Sequence, residues 1–336
     1  MAASQINRRM FLGQSVAAAM VSGRAIPAIA QASQPALVSI TLDLEMSRNF
    51  PQWELTHWDY EKGNLNEAAK LYSVRAAERV KQAGGVIHFF CVGRVLEQEN
   101  VDWLINLKEA GHPIGNHTYD HVYLLARTAE ELQFRFRRSP WLLRKMSVTE
   151  AIADNIALTR AALKNRCGIE DRGFRTPGGF AEGLRGREDI QRLLLDQGYT
   201  WVSSLYPPHK NTTSNAAGDN PPPPRDVLDD IERAVVAAQP FRYPTGLIEV
   251  PMSPISDIGA FRTGRWKLSE FIEAVKRGVE RAIAVGGCYD FLAHPSCLGV
   301  VDPEFKTIDA ICEVVSRAGS KARLASLDEL ASRAPA

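Results

Sequence analysis

The residues Ala36–Leu44 (ALVSITLDL) form an apolar, β-branched run that predicts a buried β-strand. Two acidic residues, Asp43 and Glu45, stand at its end. Residues two apart in an extended chain project to one face, and two carboxylates on one face of a buried strand repel each other unless a cation lies between them. The stretch therefore predicts either a metal site or a salt-bridged strand end.

Short apolar segments of this kind alternate with helical patterns over the rest of the chain. Strands are predicted at residues 36–44, 86–92, 112–116, 173–175, 199–203, 247–252, 288–293 and 321–326. Helices are predicted at residues 66–83, 101–110, 128–136, 148–166, 190–197, 267–284 and 303–318. Strands that alternate with helices favour an α/β fold with a parallel sheet, either open or closed into a barrel.

The composition is that of an ordinary globular protein and excludes several classes. The 336 residues are 45% hydrophobic and 24% charged, which excludes a largely disordered or fibrous chain. Lys and Arg number 40 against 39 Asp and Glu, so the basic excess typical of a nucleic-acid binder is missing. Five cysteines are too few for a disulfide-built scaffold and show no metal-binding spacing. No apolar run of about 18 residues occurs, so we expect no membrane span.

The first 32 residues have the features of an export signal. Arg8 and Arg9 stand in the string Asn-Arg-Arg-Met-Phe-Leu-Gly, and a weakly apolar stretch and small residues follow. This order predicts a twin-arginine signal peptide over residues 1–32, which would bring the folded protein to the twin-arginine export machinery and on to the periplasm or the medium. The alternative is an untargeted amphipathic N-terminus. Residues 33–336 are predicted to form one domain, with a Pro-rich surface insertion near 210–228.

Two histidines, His117 and His121, follow the predicted strand at residues 112–116. If the segment is helical, side chains four apart face the same way and can hold one metal ion. Their place at a strand's C-terminal end is where α/β barrels keep their sites. Taken alone, the spacing favours histidines of the surface or the core over a metal site.

Two more strand ends carry residues suited to chemistry. Arg175 stands at the end of the predicted strand 173–175, before a Pro-Gly-Gly turn, and could pair with a catalytic carboxylate and keep it ionised. His294 follows the strand 288–293, where it is placed to act as a general acid or base. Taken alone, the arginine segment is an ordinary turn.

In their order, these motifs resemble those of the polysaccharide deacetylase (NodB-homology) family, also called carbohydrate esterase family four. The motifs are T-x-D at residues 41–43, H-T-x-x-H at 117–121, R-x-P-x-G at 175–179 and apolar-x-His at 292–294. The resemblance extends over about residues 38–330 and implies a single TIM-like, distorted (β/α) barrel of about seven parallel strands. It also implies one divalent metal ion, usually zinc.

The resemblance further implies a role for each motif residue. His117 and His121 would bind the metal. Asp43 would be the general base that deprotonates a metal-bound water, and Arg175 would hold Asp43 ionised. His294 would protonate the departing amine.

Two positions depart from the usual family pattern. The family's second aspartate, a metal ligand, is replaced by Leu44, so Glu45 is the expected ligand, as in the branch with a D-x-D or D-x-E first motif. That branch is similar to peptidoglycan deacetylases and allantoinase-like members, some of which lack metal. Gly178 stands where an aromatic residue usually follows Pro177, and backbone N–H near it would help to stabilise the oxyanion.

Aromatic and polar residues near these motifs are candidates for substrate binding, since aromatic faces stack on sugar rings. The alternative is that they pack their loops onto the barrel. The candidates are Trp53, His57, Trp58, Asp59, Pro177, Gly178, Trp201 and Tyr206. His88, inside an apolar strand, is predicted to be a core residue.

Together these features predict an exported, zinc-dependent hydrolase of carbon–nitrogen bonds that removes acetyl groups, N-acetyl first, from a cell-wall or chitin-like glycan. One alternative is a hydrolase of small amides or ureides, as in the allantoinase-like members. Another is a catalytically inactive glycan-binding module. The retention of base, histidine pair, arginine and acid argues against the last.

Overall fold

The computed structural model describes residues 34–56, 61–209 and 225–336. The predicted signal peptide and most of the predicted insertion lie outside these residues. The described residues fall within one compact unit, Gln31–Ala336.

A nine-stranded sheet forms the centre of this unit, in the order β6-β7-β5-β4-β3-β2-β1-β8, with β9 also paired to β1. Every pair is parallel except β6 with β7, so the described residues contain eight strands in parallel pairs. The strands are β1 Ala36–Leu44, β2 Ile87–Cys91, β3 Ile114–Asn116, β4 Phe174–Phe180, β5 Trp201–Leu205, β6 Phe241–Arg242, β7 Ile248–Glu249, β8 Cys288–Ala293 and β9 Ala322–Leu324.

The two ends of the sheet meet through hydrogen bonds outside the strand ladders. The backbone N–H of Ser253, just after β7, donates to the carbonyl of Asp290 in β8 at 2.7 Å. The side chain of Gln239, just before β6, accepts from the backbone N–H of Cys288 at 2.7 Å and donates to its carbonyl at 3.2 Å. The sheet is therefore curled into the distorted barrel that the family resemblance implied, with an irregular seam beside β8.

Helices cover the outside of the sheet and join successive strands. They are α1 Glu67–Gln82, α2 Asp102–Glu109, α3 Ala129–Leu132, α4 Phe134–Arg138, α5 Val148–Cys167, α6 Glu188–Asp196, α7 Arg225–Ala237, α8 Leu268–Val285, α9 Pro295–Val301, α10 Lys306–Ala318 and α11 Leu327–Ala331.

Local sequence explains where the long helices begin and end. Asn66 caps α1 by accepting from the backbone N–H of Ala69 at 2.8 Å. Ser147 and Glu150 form a capping box at the start of α5, and Gly168 ends that helix in the left-handed conformation.

Three predictions about elements need correction. The strand predicted at residues 173–175 is Phe174–Phe180, so Arg175 is its second residue and not its last. The helix predicted at residues 128–136 is divided by Gln133, whose extended backbone separates α3 from α4. The insertion predicted to reach residue 228 ends earlier, because α7 begins at Arg225.

The arrangement brings the C-terminal ends of the parallel strands to one edge of the barrel. β1 ends beside Glu45, β3 leads into His117, β4 carries Arg175 and β8 leads into His294. β1 pairs with both β2 and β8, so it lies in the middle of the sheet and is buried along its whole length. No helix in the described part of the chain is long and apolar enough to cross a bilayer. All five cysteines are unpaired.

Candidate active site and metal centre

A loop rather than a helix brings His117 and His121 together. Thr118 and His121 have left-handed backbone angles, with φ of 57° and 58°. The side chain of Asn116, the last residue of β3, accepts from the backbone N–H of Thr118 at 2.9 Å and so fixes the turn. The two imidazole rings lie with centroids 5.0 Å apart. This turn brings the two histidines together, and the helical spacing considered from the sequence does not.

Glu45 completes a possible ligand set with the two histidines. Its Oε2 lies 2.9 Å from His121 Nε2 and 3.6 Å from His117 Nε2, and one ligand atom from each residue lies within 4.8 Å of the others. His117 Nδ1 lies 2.9 Å from the carbonyl of Arg175, which as its acceptor leaves Nε2 available to a metal. Glu45 Oε2 is buried and is approached only by imidazoles among the described residues. Two imidazole nitrogens and a carboxylate oxygen at these separations fit one divalent ion.

The protonation states of these residues also suit a metal. Burial, aided by the neighbouring His121, lowers the pKa of His117 well below its ordinary value, and burial likewise lowers the pKa of His121. Burial acts to raise the pKa of Glu45, but His121 and Lys62 outweigh it and hold that pKa well below the ordinary range. Neutral imidazoles and an ionised carboxylate are the forms that bind metal.

Lys62 is a site residue that the sequence analysis missed. Its ammonium group donates to Glu45 Oε1, and both side chains are buried. Lys62 therefore occupies one oxygen of Glu45 and leaves Oε2 turned towards the histidines. No motif marks this lysine, which lies in the loop after β1 and reaches the site only through the fold.

Arg175 contacts two carboxylates, and the nearer one belongs to Asp290 of β8. The guanidinium lies 2.6 Å from Asp290 Oδ2 and 3.7 Å from Asp43 Oδ1. Burial raises the pKa of Asp43 to about 6, although the charges of Arg175 and His294 oppose the rise. Arg175 therefore favours the ionised form of Asp43, as expected, without fully offsetting burial. An acidic residue inside an apolar strand was the available signal for Asp290, because a buried charge needs a partner.

His294 is held by a second carboxylate that the sequence analysis missed. Its Nδ1 lies 2.9 Å from Asp257 Oδ1, and its backbone N–H donates to Asp257 Oδ2 at 2.7 Å. Burial acts to lower the pKa of His294, but Asp257 outweighs it and the pKa is raised. His294 Nε2 then faces Glu45 Oε1 at 3.6 Å and Asp43 Oδ2 at 4.0 Å. Asp257 therefore orients the ring, favours its protonated form and directs Nε2 towards the site.

These groups surround one cavity of about 450 Å³. Of the substrate-binding candidates, Gly178 and Tyr206 line it. Gly178 has a left-handed φ of 77°, in a part of β4 where the pairing with β5 shifts register.

Other substrate-binding candidates lie elsewhere. Trp201 is a core residue, whose ring meets His88 and Phe90 edge-on and whose Nε1 donates to Asp328. Trp53 is 41% exposed and stacks on Arg265, outside the cavity lining, and Pro177 is buried and also outside it. His57, Trp58 and Asp59 lie outside the described residues. The structure thus corrects the placement of Trp201, whose strand directs it into the core.

Comparison with known proteins supports the family resemblance over the middle of the chain and supports the fold over most of it. Residues 66–200 match the family model of polysaccharide deacetylases. Three solved structures share the fold over 89% of this chain and 90% of theirs. They are proteins assigned as polysaccharide deacetylases from Mycobacterium smegmatis (TM-score 0.55, 16% identity) and Pseudomonas aeruginosa PAO1 (0.58, 12%), and Puue allantoinase (0.56, 13%). No curated protein matches the chain.

Proposed function

We propose that this protein is an exported, zinc-dependent deacetylase that removes acetyl groups, N-acetyl first, from a glycan such as a cell-wall or chitin-like polysaccharide. The family match over residues 66–200 and the shared fold support a hydrolase of the polysaccharide deacetylase type, which acts on carbon–nitrogen bonds other than peptide bonds. One observation carries the rest of the proposal. A possible Glu-His-His ligand set, a buried aspartate and a histidine held by Asp257 face the same cavity.

The ligand set would be Glu45 Oε2, His117 Nε2 and His121 Nε2. A divalent ion bound there would acidify a water molecule and polarise the acetyl carbonyl. Lys62 and the Arg175 carbonyl orient the ligands, because they engage Glu45 Oε1 and His117 Nδ1.

Proton transfer is assigned to Asp43 and His294. Asp43 lies between Arg175 and the histidines, where its carboxylate can accept a proton from the attacking nucleophile. His294, kept protonated by Asp257, donates to the departing nitrogen. The backbone at Gly178 faces the same space and is assigned to the oxyanion. Since one group must be ionised and the other protonated, we expect a bell-shaped dependence of kcat/KM on pH.

Acetate release from a panel of glycans tests the activity. Chitin oligomers and peptidoglycan represent the glycan class, and allantoin represents the ureide alternative. Asp43→Asn keeps the shape of the side chain and should lower kcat by about 10²–10⁴-fold with zinc content unchanged. Allantoin turnover without acetate release would favour the ureide hydrolase. Glycan binding without turnover of any substrate would favour a binding module.

Export by the twin-arginine pathway is supported by the Arg8-Arg9 string and the small residues after it. The double variant Arg8→Lys, Arg9→Lys should leave the precursor in the cytoplasm with its fold intact. Unchanged export of the double variant, measured by cell fractionation, would show that this pathway is not used.

A further inference from the structure

Basic side chains of the cavity fall into two groups. Lys62 is paired with Glu45, one of the proposed metal ligands. Arg48 and Arg262 also line the cavity, but within the described ranges neither has a carboxylate at ion-pair distance. Asp257, a carboxylate whose charge acts on Arg262, already uses both oxygens on His294. The cavity therefore contains two guanidinium groups that form no direct ion pair with the described residues around it.

Arg262 is the more buried of the two. It lies in the helical segment Ile258–Thr263 that follows Asp257, and it is half-buried, whereas Arg48 is exposed in the loop after β1. Burial lowers the pKa of Arg262, and the nearby Arg48 lowers it further. Like charges held together at the edge of a cavity are unfavourable unless an anion lies between them.

Ser47 adds a polar group from the same loop. Its side chain is 4% exposed and lines the cavity, and its Oγ has no hydrogen-bond partner among the described residues. The backbone of Ser47 is fixed, because its N–H donates to Ser296 Oγ at 3.0 Å. A buried hydroxyl without a partner is costly, and such groups are normally satisfied by a ligand or by water.

We propose that Arg48, Arg262 and Ser47 bind a carboxylate carried by the substrate, so that the acetylated substrate is an anionic sugar. This proposal rests on the proposed deacetylase function, which places the acetyl group of the substrate at the metal site. Guanidinium groups and a hydroxyl are the donors that carboxylates accept in proteins, and charge-assisted bonds of this kind are the strong ones. A neutral substrate would offer no charge to the two guanidinium groups.

Binding of N-acetylmuramic acid and of its methyl ester tests the proposal, since the two ligands differ only in the charge of the carboxyl group. Affinities are measured by calorimetry on the full-length, zinc-loaded Asp43→Asn protein, in which turnover is slowed. The acid should bind about 10–100-fold more tightly than the ester, the range that charged hydrogen bonds supply. Arg262→Gln in the same background should remove most of this preference. Arg317→Gln, an arginine of the exposed surface of α10, should retain it.

Equal affinities for acid and ester, or no binding of either, would overturn the anion site. The result is separable from the deacetylase proposal, because wild-type acetate release from chitin oligomers is measured independently. Acetate release without a preference for the acid in binding leaves the deacetylase and removes the anion site. A preference for the acid that depends on Arg262, without acetate release from any glycan, supports the anion site and removes the deacetylase.

Discussion

Two carboxyl groups of this site, those of Asp43 and Glu45, have opposite pKa shifts because their surroundings differ. Asp43 and Glu45 are two residues apart on one buried strand. Burial raises the pKa of Asp43 to about 6, whereas Lys62 and His121 keep Glu45 ionised. Environments that separate the pKa values of neighbouring carboxyl groups are a common way of assigning different roles to them. Here they support the proposed roles of Glu45 as a metal ligand and Asp43 as the base.

Lys62→Met should destabilise the metal-free protein by about 3 kcal/mol, because breaking a buried ion pair leaves an uncompensated charge on Glu45. Saturating zinc should reduce this loss, since the metal would then neutralise Glu45. Urea unfolding with and without zinc measures both effects. Lys164→Met, which removes an exposed ion pair with Glu170, is the control and should change stability little. A Lys62→Met protein as stable as this control, without metal, would contradict the role given to Lys62.

Close packing at the start of strand β4 helps to position the site. β4 begins directly after Gly173, whose carbonyl accepts from the backbone N–H of Asn116 and so ties β4 to the histidine loop. Gly173 has a φ of 70°, and a Cβ atom there would lie 1.8 Å from the ring of Trp201. This position therefore needs glycine for both backbone conformation and space.

Gly173→Ala should reduce the free energy of unfolding by about 3 kcal/mol, from left-handed strain and from overpacking against Trp201. It should also weaken zinc binding, because the carbonyl of Arg175 that orients His117 lies in the same strand. Gly186→Ala is the matched control. Its φ of 72° is similar, but a Cβ atom there would meet no neighbour within 4 Å, so only the strain of about 1–2 kcal/mol is expected. Equal losses in the two variants would refute the packing argument.

Hydrophobic periodicity in the sequence predicted most of the helices and strands. The predicted strand ends indicated most of the motif residues that lie together in the site. β1 and β8 have the predicted bounds, and the long helices agree within a few residues. The sequence could not reveal Lys62 or Asp257 as partners, because each contacts a site residue through the closed fold rather than through a local motif. For Asp290 the sequence offered only an acidic residue inside an apolar strand, without indicating Arg175 as its partner. Trp201 was misplaced for the same reason, since an aromatic pattern does not distinguish the cavity from the core.

At the scale of the whole molecule, the site depends on contacts between the two ends of the chain. Thr41 Oγ1 in β1 donates to Asp290 Oδ1 in β8 at 2.8 Å, a contact that spans 249 residues. Arg175 joins the same cluster from β4, with its guanidinium 3.1 Å from Thr41 Oγ1. The catalytic arrangement therefore forms only when the sheet has closed, and its stability follows the stability of the barrel.

His88, in the core below the site, makes the barrel sensitive to acid. Its ring is fully buried, stacks on Phe90 and lies 2.8 Å from the carbonyl of Arg172, as the sequence analysis expected of a core residue. Burial lowers the pKa of His88 to about 4 from an ordinary value near 6.5. The unfolded chain therefore takes up a proton that the folded chain refuses, and stability falls as pH drops from 6.5 towards 4.

His88→Gln should flatten this dependence, because glutamine does not titrate. Between pH 7 and pH 5 the wild type should lose about 2 kcal/mol more than the variant. The difference between the two proteins should stay constant above pH 7.5, where both side chains are neutral. Urea unfolding across this pH range measures the slopes, and parallel curves down to pH 5 would show that His88 does not contribute.

The central claim is that Glu45, His117 and His121 form a zinc site beside a separate base, Asp43. Anomalous diffraction at the zinc edge, from crystals of the zinc-loaded protein, tests it most directly. We expect one peak within about 2.0–2.2 Å of Glu45 Oε2, His117 Nε2 and His121 Nε2. Asp43 should lie outside bonding distance, and Lys62 should still donate to Glu45 Oε1. No peak at this position, or a peak bonded to Asp43 in place of Glu45, would contradict it.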